Sequence, residues 1–278
     1  MVVNLIISLF FTLLVSPSLG YPKDFTIFNL QDCVDCKLDL KNGDKVQALW
    51  YRGSNYELKD DTLVINKFKM SMFDPPMNDD TVISILNLKS LPERKHGKKD
   101  QTNTVPKGCN DDLFWHSNWT HQDSSCPYLV LKGSNFKTGK ILASDDRAAE
   151  CFLDGQKLTE PGPGSENMTT PLPPPKKCQL KFGKERFDVV VTTTRIFYND
   201  GIHVWSDLTI QHGIKAQKIE EVDSIGWAGD LDGDGKLDLV VNCAKNRLTV
   251  ECKRLYLSTY SKGPDLWGKA GTFEVYGD

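Results

Sequence analysis

Short apolar runs, alternating or continuous, recur along the chain and are separated by glycine, proline, asparagine and aspartate. Residues 62–73 (TLVINKFKMSMF) alternate, placing Val64 or Ile65, Phe68, Met70 and Met72 on one half-buried face. Residues 81–86 (TVISIL), 127–132 (PYLVLK) and 188–194 (DVVVTTT) are β-branched or apolar runs beside turn residues. Ile196–Tyr198 and Ile202–Trp205 flank Asn199-Asp200-Gly201, whose residues tolerate the positive φ of a tight hairpin. Residues 215–222 (KAQKIEEV) read as a strand or a brief helix, and Ala148–Glu150 as a single helical turn. The pattern predicts a mainly β protein built of antiparallel sheets, sandwich-like or irregular.

Two segments interrupt it. Residues 159–177 carry Pro161, Pro163, Pro171 and the run Pro173 to Pro175, which exclude a helix or a central strand. They form a linker or a surface insertion, dividing a β region over 21–158 from a second over 178–278. Residues 89–112 are polar and locally basic, and read as a solvated loop.

The first twenty residues differ from the rest. Residues 5–15 (LIISLFFTLLV) are continuously apolar and lead into Ser16, Pro17, Ser18 and Gly20. This is the form of a signal peptide over 1–20, too short to span a bilayer, and no later stretch is apolar enough to do so. The expected location is therefore secreted, extracellular. Eight cysteines, an even number, suit an oxidising compartment: Cys33, Cys36, Cys109, Cys126, Cys151, Cys178, Cys243 and Cys252. Cys243 and Cys252 flank a short polar turn between two β-rich runs and are the best pair. Cys151 and Cys178 bracket the proline-rich segment as a bridge tying off a loop would. Cys33-Val34-Asp35-Cys36 has redox spacing, but its acidic middle and the missing βαβ context favour a structural bridge. Asn118-Trp119-Thr120 and Asn167-Met168-Thr169 fit the N-glycosylation acceptor pattern. A formal charge of −3 excludes a broadly basic nucleic-acid binder.

The densest chemistry lies near the C-terminus. Asp230, Asp232, Asp234 and Asp238 stand at positions 1, 3, 5 and 9 of one turn, with Gly233 and Gly235 between them. Four carboxylates this close repel one another unless a cation sits among them. Hard oxygen donors suit Ca²⁺, and the Lys236 carbonyl is a further donor at position 7, its side chain pointing away. An EF-hand requires a glutamate at position 12, where Val241 stands, and a helix where Leu237, Leu239, Val240 and Val241 form an apolar run that ends β-branched.

The segment Asp230 to Leu239 instead resembles the calcium loop of FG-GAP/VCBS repeats, with its pattern D-x-D-G-D-G-x-x-D-L. The resemblance implies a loop joining two adjacent strands, with Asp230, Asp232, Asp234, Asp238 and the Lys236 carbonyl on the ion. Only one good copy is present; Ala143 to Asp146 and Leu153 to Gly155 are degenerate, so a full propeller is not expected.

No catalytic signature accompanies the loop: H-E-x-x-H, G-x-S-x-G, a Walker loop and a strand-linked G-x-G-x-x-G are all missing. His116 and His121 lack ligands at zinc spacing, and Trp115, Trp119, Trp205 and Trp227 read as β-core aromatics. The expectation is a calcium-binding protein with a non-catalytic role in adhesion, an extracellular matrix or a coat, and an extracellular protein, glycan or matrix as partner. The alternatives are a secreted hydrolase, acting on polysaccharide, with structural calcium, and a mineral- or matrix-associated component.

Overall fold

A computed structural model describes residues 25–28, 32–34, 39–52, 55–70, 81–91, 127–144, 152, 172–198, 202–243 and 249–276. Among them the protein is mainly β with no α-helix, and two open antiparallel sheets make up the fold. The first contains β1 (Thr26–Phe28), β2 (Asp32–Val34), β3 (Lys45–Arg52), β4 (Asn55–Met70), β5 (Thr81–Leu88), β6 (Pro127–Lys132) and β7 (Gly139–Ile141). Its order is β1-β6-β3-β4-β5-β2, with β7 added to β4. The second contains β8 (Lys176–Phe182), β9 (Glu185–Tyr198), β10 (Ile202–His212), β11 (Lys215–Gly229), β12 (Asp238–Cys243), β13 (Thr249–Leu257) and β14 (Gly268–Tyr276). These pair strictly in chain order, each with the next. Neither sheet closes into a barrel or a propeller.

Strand patterning explains the packing. β12 (DLVVNC) is apolar on both faces because both are covered. Val240, with Trp227, Leu255, Leu257 and Phe273, packs against Ile27, Leu49, Leu58 and Leu131 of the first sheet, forming the core between sheets. Leu239 and Val241 point the other way, into a second core with Val189, Leu208, Ile210, Ile219 and Trp267.

That second core exists because the meander folds over itself. Register shifts at Trp205/Ser206 and Ser206/Leu208 in β10, and at Val222/Ser224 and Ile225/Trp227 in β11, bend the long strands. Glu221, at φ 56°, sits at this bend. The start of β11 thereby reaches the segment before β14. Gln217 Oε1 accepts from the N–H groups of Leu266 and Trp267 at 2.9 and 2.8 Å, and its Nε2 donates to the Trp267 carbonyl at 3.1 Å. Arg254 Nη1 donates to the Glu220 carbonyl at 2.8 Å, holding the same fold-over from β13.

The predicted strands at 81–86, 127–132, 188–194, 196–198, 202–205 and 215–222 fall within β5, β6, β9, β10 and β11, with 127–132 coinciding with β6. Of the predicted 62–73, residues 62–70 lie in β4, and 71–73, Met72 among them, lie outside the described residues. β4 starts earlier, at Asn55, because its first half pairs with β3 and only its second half with β5. β3 itself (KVQALWYR) lacks alternation, since Val46 to Trp50 are all buried. Its one polar core side chain, Gln47, is satisfied by Phe136 N–H, the Phe136 carbonyl and Asp60 at 2.9, 2.8 and 3.0 Å. Cys243 and Cys252 are joined, with Cα atoms 5.1 Å apart, across β12 and β13. Cys178 is also disulfide-bonded. The signal segment 1–20, Asn118, Asn167, Cys36, Cys109, Cys126, Cys151, the turn at 148–150 and the side chain of Cys33 lie outside the described residues. No helix among the described residues is long and apolar enough to cross a membrane.

Leu255 is fully buried between the sheets, so Leu255→Ala is expected to lower unfolding free energy by about 2–5 kcal/mol in urea titration. Ile214→Ser, at an exposed hairpin tip, is expected to stay within about 0.5 kcal/mol of wild type.

Candidate metal centre

The Asp-rich turn joins β11 to β12, adjacent antiparallel strands whose last ladder pair is Gly229 with Asp238. Gly233 and Gly235 adopt φ values of 80° and 82°, the left-handed region that lets the chain double back within so few residues. Gly229 is required for a different reason: a Cβ there would lie 2.6 Å from the Leu142 carbonyl oxygen. That close approach lets Asp230 N–H donate to Leu142 O at 2.9 Å and Ser144 N–H donate to Ala228 O at 2.8 Å. The turn is thus stitched to the segment leaving β7.

Asp238 anchors the centre. It is fully buried, yet belongs to a strand whose neighbours Leu237, Leu239 and Val240 are all apolar. Its Oδ1 accepts from Ser258 N–H at 2.8 Å, and its Oδ2 from Leu231 N–H at 2.8 Å and Asp232 N–H at 3.4 Å. One carboxylate therefore ties the turn to the 3-10 turn Ser258–Tyr260 that follows β13. Asp230 organises the other side, taking Gly233 N–H on Oδ1 at 2.8 Å and Gly235 N–H on Oδ2 at 3.0 Å. Asp232 is buried; its Oδ1 accepts from Asp234 N–H at 3.2 Å and its Oδ2 from the Thr259 hydroxyl at 2.5 Å.

Asp230, Asp232 and Asp238 each place a carboxylate oxygen within 4.8 Å of the others, an arrangement that can hold a metal ion. Asp234 turns elsewhere: its Oδ2 accepts from the Ser258 hydroxyl at 2.6 Å and stands 3.4 Å from Lys236 Nζ, while its Oδ1 accepts from Lys236 N–H at 2.8 Å. The exposed Lys236 ammonium thus pairs with Asp234 at the rim. Ser258 and Thr259 were not legible as members of the site. They stand 24 and 27 residues from the aspartates they meet, and only the pairing of β12 with β13 brings them there.

Electrostatics expose the cost of this arrangement. Burial raises the Asp238 carboxyl well above the usual carboxylate range, and the Asp232 charge pushes it further against the lowering effect of Ser258 and Leu231 N–H. Burial also raises Asp232, opposed by the Thr259 hydroxyl and reinforced by Asp234 and Asp230. Asp230 is raised chiefly by burial, against its Gly235 and Gly233 donors. At an effective dielectric of ~20, two ionised carboxylates at this separation repel by roughly 3 kcal/mol. Burial and mutual repulsion therefore favour a proton or a cation among these carboxylates.

The chain matches no family model, no curated protein and no solved structure. What the site can do is therefore read from its own chemistry.

A carboxyl whose folded pKa exceeds its unfolded value keeps its proton longest in the folded state. Metal-free stability is then full below the ordinary carboxylate value of about 3.9 and declines as pH rises through the raised values of Asp230, Asp232 and Asp238. Melting curves in chelator across that interval should fall more steeply for wild type than for Asp232→Asn, whose amide oxygen can keep the Asp234 N–H and whose NH2 can donate to the Thr259 hydroxyl, without the charge. Parallel profiles would refute the burial penalty.

Proposed function

We propose that the turn binds one Ca²⁺ and that the ion staples the end of the second sheet in a secreted, non-catalytic protein of adhesive, matrix or coat type. The carrying observation is the convergence of three largely buried carboxylates, two of them essentially without solvent contact, on a common point. Oxygens lying within 4.8 Å of one another can all touch an ion at the ~2.3–2.6 Å of calcium–oxygen bonds, since opposed ligands on such an ion stand about 4.6–5.2 Å apart. Each carboxylate oxygen retains a second lone pair after accepting an N–H, so the observed hydrogen bonds and a metal bond are compatible. An all-oxygen, all-anionic donor set favours a hard cation over zinc, which takes nitrogen and sulfur.

Supporting this reading, the turn joins two adjacent strands, as the resemblance of Asp230–Leu239 to FG-GAP/VCBS loops implies. Asp234, Lys236 and water complete the shell in the proposed loaded state, Asp234 exchanging its Ser258 partner for the ion. A site of the ~10⁻⁴–10⁻³ M class suffices outside the cell. The apolar leader and the even cysteine count support the secreted location, and the adhesive or matrix role is part of the proposal.

Isothermal titration tests the site. Wild type should bind one Ca²⁺, and Asp232→Asn and Asp238→Ala should weaken binding at least about tenfold, the loss of one charged ligand interaction of ~1.5–3 kcal/mol. At calcium concentrations one hundred times Kd, wild type should gain about 2.7 kcal/mol of stability over its chelated form. Equal heats from all three proteins, or a melting temperature indifferent to Ca²⁺, reject the proposal.

A further inference from the structure

The hairpin of β8 and β9 concentrates positive charge on a chain whose formal charge is −3. Lys176, Lys177, Lys181, Lys184 and Arg186 are all exposed, and none of their side chains forms an ion pair. Elsewhere, Lys59, Lys132, Lys218 and Arg254 each meet a carboxylate. Only Glu185 and Asp188 oppose the group within the hairpin, and Asp188 is engaged by Gln179 Nε2 at 2.8 Å.

The register gives these cations a direction. Leu180 and Phe182 enter the core, so Lys177, Gln179 and Lys181 share the outer face of β8. Arg186 stands directly opposite Lys181, and Asp188 opposite Gln179. Lys177 and Lys181, four residues apart on an extended strand, are separated by about 13 Å, and Lys184 continues the line at the hairpin tip. Beside it, Gln211 pairs with Asp188 and Thr209 with Val190, presenting amide and hydroxyl groups.

We propose that this face binds a linear acidic polysaccharide, sulfated or carboxylated, lying along β8 with its anionic groups on Lys177, Lys181, Lys184 and Arg186. A row of cations this long matches a polymer of repeating charge better than a single small anion. The amides and the hydroxyl beside the row are donors and acceptors for sugar hydroxyls. Among the described residues, β8 and residues 185–190 of β9 carry no exposed aromatic platform for bases, which argues against single-stranded nucleic acid along this row. Protection of a sheet edge accounts for lysines on β8, but neither for Lys184 at the tip nor for Arg186 on the second strand. The cationic side chains of this surface belong to β8, β9 and their connecting turn and none is part of the Asp-rich turn, so binding proceeds alike in chelator and in calcium. Failure of the calcium reading leaves it untouched.

The test uses heparin as probe. Wild type should be retained on heparin-agarose in chelator and elute with salt, as screening requires. The Lys177→Ala/Lys181→Ala/Arg186→Ala variant should bind heparin at least about tenfold more weakly in solution, while Lys89→Ala/Lys137→Ala/Lys140→Ala, with the same change in charge, should bind as wild type. Should the first variant misfold, lysine acetylation of wild type decides: heparin should protect Lys177, Lys181 and Lys184 but not Lys137 or Lys140. Equal losses in both variants, uniform protection, or competition by neutral dextran overturn the proposal. Tighter binding to phosphatidylserine vesicles than to heparin, abolished by Ile214→Ser at the neighbouring tip, also overturns it in favour of a membrane surface.

Discussion

A carboxylate removed from water must find donors, a proton or a cation, and one end of the second sheet is organised around that requirement. Asp238 occupies an apolar strand, and three backbone N–H groups converge on it from two segments far apart in sequence. Those donors are the same groups that would otherwise be orphaned where the Asp-rich turn and the 3-10 turn leave regular structure. The buried charge and the irregular backbone thus satisfy each other in part. The remainder, set by Asp232 and Asp230 close by, is left for a counterion or a proton.

The centre is placed where it touches both sheets. Asp230 and Ala228 bond to Leu142 and Ser144, beyond β7 of the first sheet, and the Ser144 hydroxyl donates to the Lys181 carbonyl at 2.7 Å. On the other side, Tyr260 of the 3-10 turn packs edge-on against Phe25, 6.2 Å between centroids, next to β1. Trp267 donates its indole N–H to the Leu237 carbonyl and belongs to the second core. A change in the charge of the turn therefore acts on the seam between sheets as well as on the fold-over of the meander. In the proposed role, calcium would be a fastener for this junction, with partner recognition left to other surfaces such as the β8–β9 face.

Much of this was legible one residue at a time. Alternation and β-branched runs mark β5, β6 and β9, and Asn199 to Gly201 mark the β9–β10 hairpin, because these signals are local. Cys243 and Cys252 were readable as a pair because the connection between them is short. β3 was not, since a strand covered on both faces loses its period. The start of β11 was ambiguous between strand and helix because the irregularity between Ile219 and Val222, in its pairing with β10, breaks the alternation that a straight strand would show. In the turn, the spacing of the aspartates and glycines announced a cation-binding geometry. It did not reveal that Asp234 faces Ser258 while Asp238 is the buried member.

By itself the sequence determined what depends on neighbours along the chain: which segments extend, where glycine permits reversal, and that four acids share one turn. The tertiary structure decided which of those acids lose water and which hydroxyls and amides meet them. Burial and cross-strand donors come from β12 and β13 pairing and from two sheets closing over the junction. Such contacts join residues whose separation along the chain carries no local periodic signal, and no pattern of side chains encodes them in advance.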